Sequence, residues 1–324
     1  MKTHAVQIHE FGAPEVLRYE EVELPEPGSG EVRLLQTAIG VNFLDVYFRK
    51  GDFSGIPLPF TPGHEGVGVV EAIGEGVTAV QVGDRVAYQL VSGSYTHHRN
   101  IHAERLVPLP AEIDEVQASA MMLKGMTAEY LVRQTYPVKP GDTILIHAVA
   151  GGVGLILSQW AKHLGATVIR TVSSEVKADF VKGYGCDYPI VYTKEDFAER
   201  VKLITDGAGV PVVYDGVGQA TFLKSLDCLQ MGGQMVLFGW SSGKVPPFDL
   251  HSLNAKSLSV TNPGLQHYTA TRQALLNSAA ALFDVVSQGI VKIEVNHAYA
   301  LEQAIQAHHD LEGRKTTGSI ALIP

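Results

Sequence analysis

The chain reads as an α/β protein in which a doubly wound parallel sheet is joined to a compact, strand-rich, barrel-like domain. Three observations predict this. Residues 143–146 are an apolar run that opens onto Gly151, Gly152 and Gly154 and then a helical pattern through residue 165. From there to residue 243, strand-like and helix-like segments alternate, as in a parallel sheet covered on both faces. Before about residue 110 the pattern differs: short β-prone runs are punctuated by Pro25, Pro27, Gly28, Gly30, Gly74 and Gly76.

Taken in order, residues 5–8 alternate, 31–39 form a longer β-prone run, 67–73 are rich in valine, and 82–88 pass from a turn into a strand. Residues 116–125 and 127–134 carry two helical patterns, and 138–142 form the turn before the first buried strand. The second strand is expected over 166–172, the third over 187–192, the fourth over 211–215 and the fifth over 234–238. The helices between them are expected over 174–182, 197–205 and 220–230, the last stopped by Gly232 and Gly233. Beyond Pro263 a single long helix is expected over 268–288, a second over 301–311, and a final strand over 318–323. That tail is read as returning to the first domain. The division is therefore 1–124 with 264–324 for one domain and 125–263 for the other, with the active cleft between them.

Composition narrows the function. At 45% hydrophobic and 18% charged, 324 residues can bury a sizeable core. A net charge of −9 argues against a nucleic-acid backbone as the main ligand. The two cysteines, Cys186 and Cys228, make neither a disulfide framework nor a Cys-x-x-Cys pair. The first residues lack a charged-then-apolar signal pattern, and no apolar run approaches about eighteen residues. A cytoplasmic protein without a membrane span is expected.

The glycine turn points to a dinucleotide. Glycines 151 and 152 let the backbone approach a pyrophosphate, and Gly154 lets the helix pack tightly on the strand. The helix start offers N–H groups and the positive end of its dipole to the phosphates. The three-glycine fingerprint asks for glycine where Val149 stands. The tip of the second strand decides which dinucleotide. An acid there would bind a ribose 2′-OH, but Val172 and Ser173 occupy it and no acid follows until Glu175. Ser173 and Ser174 offer hydroxyls and Lys177 a cation, a set suited to a 2′-phosphate. The expected cofactor is NADPH.

A metal is not expected. His64-Glu65 lies in a Pro62–Gly66 turn, but catalytic zinc needs about three protein ligands and neither cysteine is in the first domain. His97, His98 and His102 are there too, with nothing in the sequence to bring them to His64. His64 is read as a hydrogen-bonded histidine in a turn.

Six segments, 40–47, 82–86, 123–127, 147–154, 213–218 and 316–318, together resemble one family over essentially the whole chain. It is the zinc-free, zeta-crystallin-like NADPH:quinone oxidoreductases of the medium-chain dehydrogenase/reductase superfamily. The resemblance implies a GroES-like β-barrel-type catalytic domain plus a Rossmann domain. It implies that Asn42 and Asp45 lie near the nicotinamide and its ribose, that Tyr130 approaches the cofactor, and that Gly152 and Val153 meet the pyrophosphate. Ser173, Ser174, Lys177 and Tyr192 then surround the 2′-phosphate. Phe238, Gly239, Trp240 and Ser241, with Gly264 and Leu265, line the nicotinamide, and Thr317 completes the pocket. Four residues depart from the family pattern: Trp240 replaces a small polar residue, His64 a common threonine, Asn262 a basic residue, and Phe53 a pocket tyrosine. Tyr47, Phe53 and Trp240 are therefore expected to shape the substrate pocket.

The chemistry so implied is modest. A quinone is already a strong electrophile, so positioning, water exclusion and oxyanion stabilisation suffice. Tyr47 is the expected oxyanion donor, and Asn42 the residue that orients ribose and nicotinamide. Reduction of a 2-alkenal or enone needs the same parts and stays open. So does a non-catalytic role as an NADPH- or RNA-binding protein. The family also implies a homodimer, paired through sheet edges over residues 244–261.

Overall fold

The computed structural model describes residues 1–147 and 151–324. Val149, where the glycine fingerprint departs, lies outside the described residues. The chain begins with β1 (Lys2–Ile8), β2 (Leu17–Glu23) and β3 (Glu31–Val41), followed by α1 (Phe43–Lys50). Gly51 ends α1 in the left-handed region, φ 78°, a conformation that favours glycine. Next come β4 (Glu65–Ile73), β5 (Arg85–Gln89), β6 (His98–His102), β7 (Val107–Pro108), α2 (Glu115–Ser119) and α3 (Met122–Tyr130).

The second stretch is β8 (Thr143–His147), α4 (Gly152–His163), β9 (Thr167–Val172), α5 (Glu175–Lys182), β10 (Tyr188–Val191), α6 (Phe197–Ile204), β11 (Val210–Asp215), α7 (Phe222–Cys228), β12 (Leu229–Leu237), β13 (Ser259–Thr261) and α8 (Leu265–Tyr268). The chain closes with α9 (Arg272–Ser287), β14 (Val295–Ala300), α10 (Ala304–Glu312) and β15 (Ser319–Ile323).

Two compact units result. One holds Met1–Lys124, Thr269–Phe283 and Ile293–Pro324; the other holds Gly125–Tyr268 and Asp284–Lys292. In the first unit a seven-stranded sheet runs β14-β15-β3-β4-β5-β7, with β6 also paired to β3. The long β3 has two partners opposite β4: its residues 31–35 pair with β6, and its residues 39–41 with β15. Ile8, Ile39, Leu301 and Ile320 share one buried cluster, so the start and end of the chain close the same core. Each such side chain contributes about 1.5–3 kcal/mol.

In the second unit a six-stranded sheet runs β10-β9-β8-β11-β12-β13, and every pair in it is parallel. Counted from β8, that is the order 3-2-1-4-5-6 of a dinucleotide-binding sheet, and ligands bind such sheets beyond the carboxyl ends of the strands where the order reverses.

The structure departs from the sequence reading in three places. The helix expected over 220–230 stops at Cys228, and β12 starts at Leu229. Gly232 and Gly233 therefore lie inside the strand, Gly232 at φ 71°, and do not terminate a helix. The helix expected over 268–288 begins only at Arg272, as the single helix α9, after a break at residues 269–271 that separates it from the short α8. The helix expected to begin after the glycine turn already includes Gly152–Gly154 in its first turn.

Candidate active site

In the second unit the predicted cofactor residues gather at the carboxyl ends of the strands. Gly151 caps α4 without any side-chain hydrogen bond, and Gly152 and Val153 are its first two residues, both half-buried. The start of this twelve-residue helix, with no side-chain cap from Gly151 and the dipole's positive end behind it, suits an anion. β9 and β10 pair up to Val172 and Val191, and the Tyr192 amide donates to the Val172 carbonyl at 3.1 Å. That places Ser173 and Tyr192 side by side at neighbouring strand tips. The Ser174 hydroxyl accepts the Lys177 amide at 3.3 Å and caps α5, which sets Lys177 one turn into the helix. Ser173, Ser174, Lys177 and Tyr192 are all half-buried. The first acid, Glu175, is bound by Lys194 at 2.8 Å. A donor set of hydroxyls and one ammonium, without a free carboxylate at the strand tip, fits a ribose 2′-phosphate.

The stretch after β12 lies along the turn after β11. The amides of Phe238 and Ser241 donate to the carbonyls of Asp215 and Gly216 at 2.9 and 3.2 Å. A Cβ on Gly218 would come within 2.9 Å of the Trp240 Cα, and this glycine sits at φ 85°. Gly239 approaches the Gly216 carbonyl just as closely, at 3.0 Å from a would-be Cβ. The buried Asp215 carboxylate holds the turn, accepting from the Val217 and Gly218 amides and the Thr221 hydroxyl. Gly264 precedes α8, and Leu265, its first residue, is buried. Tyr130, at the end of α3, is also buried and stacks face to face on Tyr268, with ring centroids 4.2 Å apart and planes 8° apart. Burial pushes its phenol far above the usual tyrosine range.

In the first unit, Asn42, Asp45 and Tyr47 surround the start of α1, all buried. Asp45 turns inwards. Its Oδ2 accepts the Asn42 amide at 2.8 Å and the Tyr95 hydroxyl at 3.1 Å, and its Oδ1 lies 2.6 Å from His64 Nδ1. Asn42 Nδ2 donates to Glu65 Oε1 at 2.9 Å. Glu65 also accepts the Leu123 amide and pairs with the buried Lys124 at 2.5 Å. Gly40 makes this possible, since a Cβ there would lie 2.3 Å from Glu65 Oε1 and 2.2 Å from the Ser119 carbonyl. Phe53 packs on Phe48 at 4.6 Å and Phe48 on His64 at 4.3 Å, which ties Phe53 to this network. Thr317 accepts from Asn296 at 3.1 Å.

The sequence reading passed over Ser92, Tyr95 and His308, which complete this network. Ser92 Oγ lies 3.0 Å from His64 Nε2, and the Tyr95 hydroxyl 3.0 Å from His308 Nε2. No local signal marks them. Both ring nitrogens of His64 are thus engaged. Among the described residues no group of three or more His, Cys, Asp or Glu side chains is arranged to hold a metal ion.

The chain matches two family models: zinc-binding dehydrogenase over residues 152–280 and alcohol dehydrogenase GroES-like domain over residues 28–142. It is 47% identical to a quinone oxidoreductase of Pseudomonas aeruginosa, over 98% of this chain and 99% of that one. It is 45% identical to a 2-haloacrylate reductase of a Burkholderia species, over 99% and 98% of the two chains. The crystal structure of Escherichia coli quinone oxidoreductase complexed with NADPH superposes with a TM-score of 0.97 at 45% identity, covering 99% of this chain and 100% of that one.

Proposed function

The chain belongs to the quinone oxidoreductases of the medium-chain dehydrogenase/reductase superfamily, and from that premise we propose that it is an enzyme that reduces a quinone at the expense of NADPH. The observation that carries the proposal is the pairing of an uncapped glycine helix start at α4 with the acid-free hydroxyl-and-lysine set after β9. When bound, NADPH supplies the hydride. The chain's own residues bind, orient and exclude water. Gly152 and Val153 hold the pyrophosphate through backbone amides. Ser173, Ser174, Lys177 and Tyr192 hold the 2′-phosphate. Phe238, Gly239, Trp240, Ser241, Gly264 and Leu265 flank the nicotinamide, Tyr130 approaches the cofactor and Thr317 completes the pocket. Asn42 orients ribose and nicotinamide, and Asp45 fixes Asn42 through its amide. Tyr47 donates a hydrogen bond to the oxyanion that develops on the substrate. Phe53 and Trp240 set the pocket's width.

A second reading, reduction of an activated alkene, is favoured by the likeness to the 2-haloacrylate reductase. Loss of NADPH absorbance with 1,4-benzoquinone and with an enone, side by side, separates the two. Faster turnover of the quinone is expected; turnover of neither, with NADPH bound, overturns both.

The enzyme is proposed to work in the cytoplasm as a homodimer. Two buried, unpaired cysteines support the compartment. No helix among the described residues is long and apolar enough to cross a membrane. Pairing over residues 244–261 is supported by β13, which forms one edge of the six-stranded sheet.

A further inference from the structure

We propose that Ser92, His64 and Asp45 form a proton relay in which the Ser92 hydroxyl protonates the reduced substrate and is reprotonated by His64. The proposal rests on hydride transfer to a quinone or an activated alkene. Either substrate takes two electrons and one hydrogen as hydride, and is left as an anion that needs one proton. The Ser92 O–H bond breaks as the new bond on the substrate forms. The Nε2 proton of a doubly protonated His64 then moves to Ser92 Oγ, and neutral His64 is recharged from solvent.

Geometry assigns each role. Ser92 is exposed, whereas His64 and Asp45 are 3% and 0% exposed. The ionised Asp45 carboxylate is acceptor-only, so the 2.6 Å contact fixes a proton on His64 Nδ1. That leaves Nε2, 3.0 Å from Ser92 Oγ, to exchange one. The carboxylate is itself held by the Asn42 amide and the Tyr95 hydroxyl. The other charged or titratable groups around it are Glu65 with Lys124, His308 with Arg49, and Glu312. The imidazole lies against Phe48, which lies against Phe53, and Asp45 shares α1 with Tyr47. The relay therefore lies one ring away from Phe53, a residue proposed to shape the substrate pocket.

The same triad does not suit covalent hydrolysis. An acyl-transfer serine needs a following amide to hold the oxyanion. Here the Gly93 and Ser94 amides are both taken by the Gly63 carbonyl, at 3.0 and 3.3 Å.

The test is the pH profile of kcat, with the solvent deuterium isotope effect, for the parent enzyme, Ser92→Ala, Ser92→Thr and His64→Asn. Asparagine keeps a donor for Asp45 but cannot pass a proton. The relay runs only while His64 carries its Nε2 proton, so parent kcat is expected to fall towards alkaline pH. Ser92→Ala and His64→Asn are expected to lose about a hundredfold in kcat at the relay's working pH. They also lose the pH-dependent limb, with NADPH affinity by fluorescence unchanged, and Ser92→Thr restores both. Unchanged kcat, profile and isotope effect in Ser92→Ala, beside a parent that turns over, overturn the relay alone. A one-electron product, which needs no proton donor, overturns the relay together with the hydride step assigned to NADPH. A parent that binds NADPH but reduces neither quinone nor enone overturns the relay together with the proposed function.

Discussion

Arg49 Nη1 lies 2.9 Å from His308 Nδ1, and both side chains are fully buried. A guanidinium only donates, so Nδ1 accepts and Nε2 carries the ring proton. That proton points to the Tyr95 hydroxyl, which donates to Asp45. Burial, with Arg49 adding to it, holds His308 neutral and lowers its pKa to about 4. Unfolded, it titrates near its ordinary value of 6.5. Between those values the unfolded chain binds a proton that the folded one does not. The contribution is therefore full above about pH 6.5 and is lost as pH falls towards about 4. Denaturant melts at about pH 7 and about pH 5 are expected to differ by roughly 2 kcal/mol from this residue, and His308→Gln flattens that slope.

Lys177 is proposed to set the preference between the phosphorylated and unphosphorylated dinucleotides. A hydrogen bond to a charged partner contributes about 1.5–3 kcal/mol. Lys177→Ala is expected to weaken NADPH by about 10- to 100-fold in calorimetry and leave NADH within about twofold. Ser173→Asp puts the missing carboxylate at the tip of β9 and is expected to reverse the order of the two affinities.

Tyr47 is proposed to assist the reaction without being indispensable to it. Tyr47→Phe is expected to lower kcat by less than about a thousandfold, roughly 4 kcal/mol, with NADPH affinity unchanged. Steady-state turnover of 1,4-benzoquinone reads this directly.

Neither cysteine should behave as a reactive thiol. Burial raises Cys186 to about 11 and Cys228 to about 12, so little thiolate forms at neutral pH. An aromatic disulfide reagent is expected to label no thiol in the native protein and both once denaturant is added.

The parallel sheet was legible because its strands are buried on both faces and therefore read as continuous apolar runs, as at Ile144, Leu145 and Ile146. The start of β12 was hidden because Leu229 continues the apolar spacing of α7, and only the register against β11 turns it into strand. In the site, Ser173, Ser174 and Lys177 were readable because one strand tip and one helix cap hold them within a few residues. The network around Asp45 was not. Its contacts with His64, Tyr95 and, through Tyr95, His308 span 19, 50 and 213 residues of sequence, and no local pattern encodes them. Gly40 carried a family resemblance in the sequence, while its physical reason, room for the Glu65 carboxylate, emerged only in three dimensions.

The shared edge of β3 bears on how this polypeptide is made. On the flank away from β4, residues 39–41 of β3 pair with β15, residues 319–323. During synthesis the nucleotide-binding sheet can form as soon as β13 leaves the ribosome, whereas the amino-terminal sheet waits with a bare flank until β15 follows. A nascent chain halted before β15 would carry a formed cofactor fold beside an unsealed one that invites chaperones.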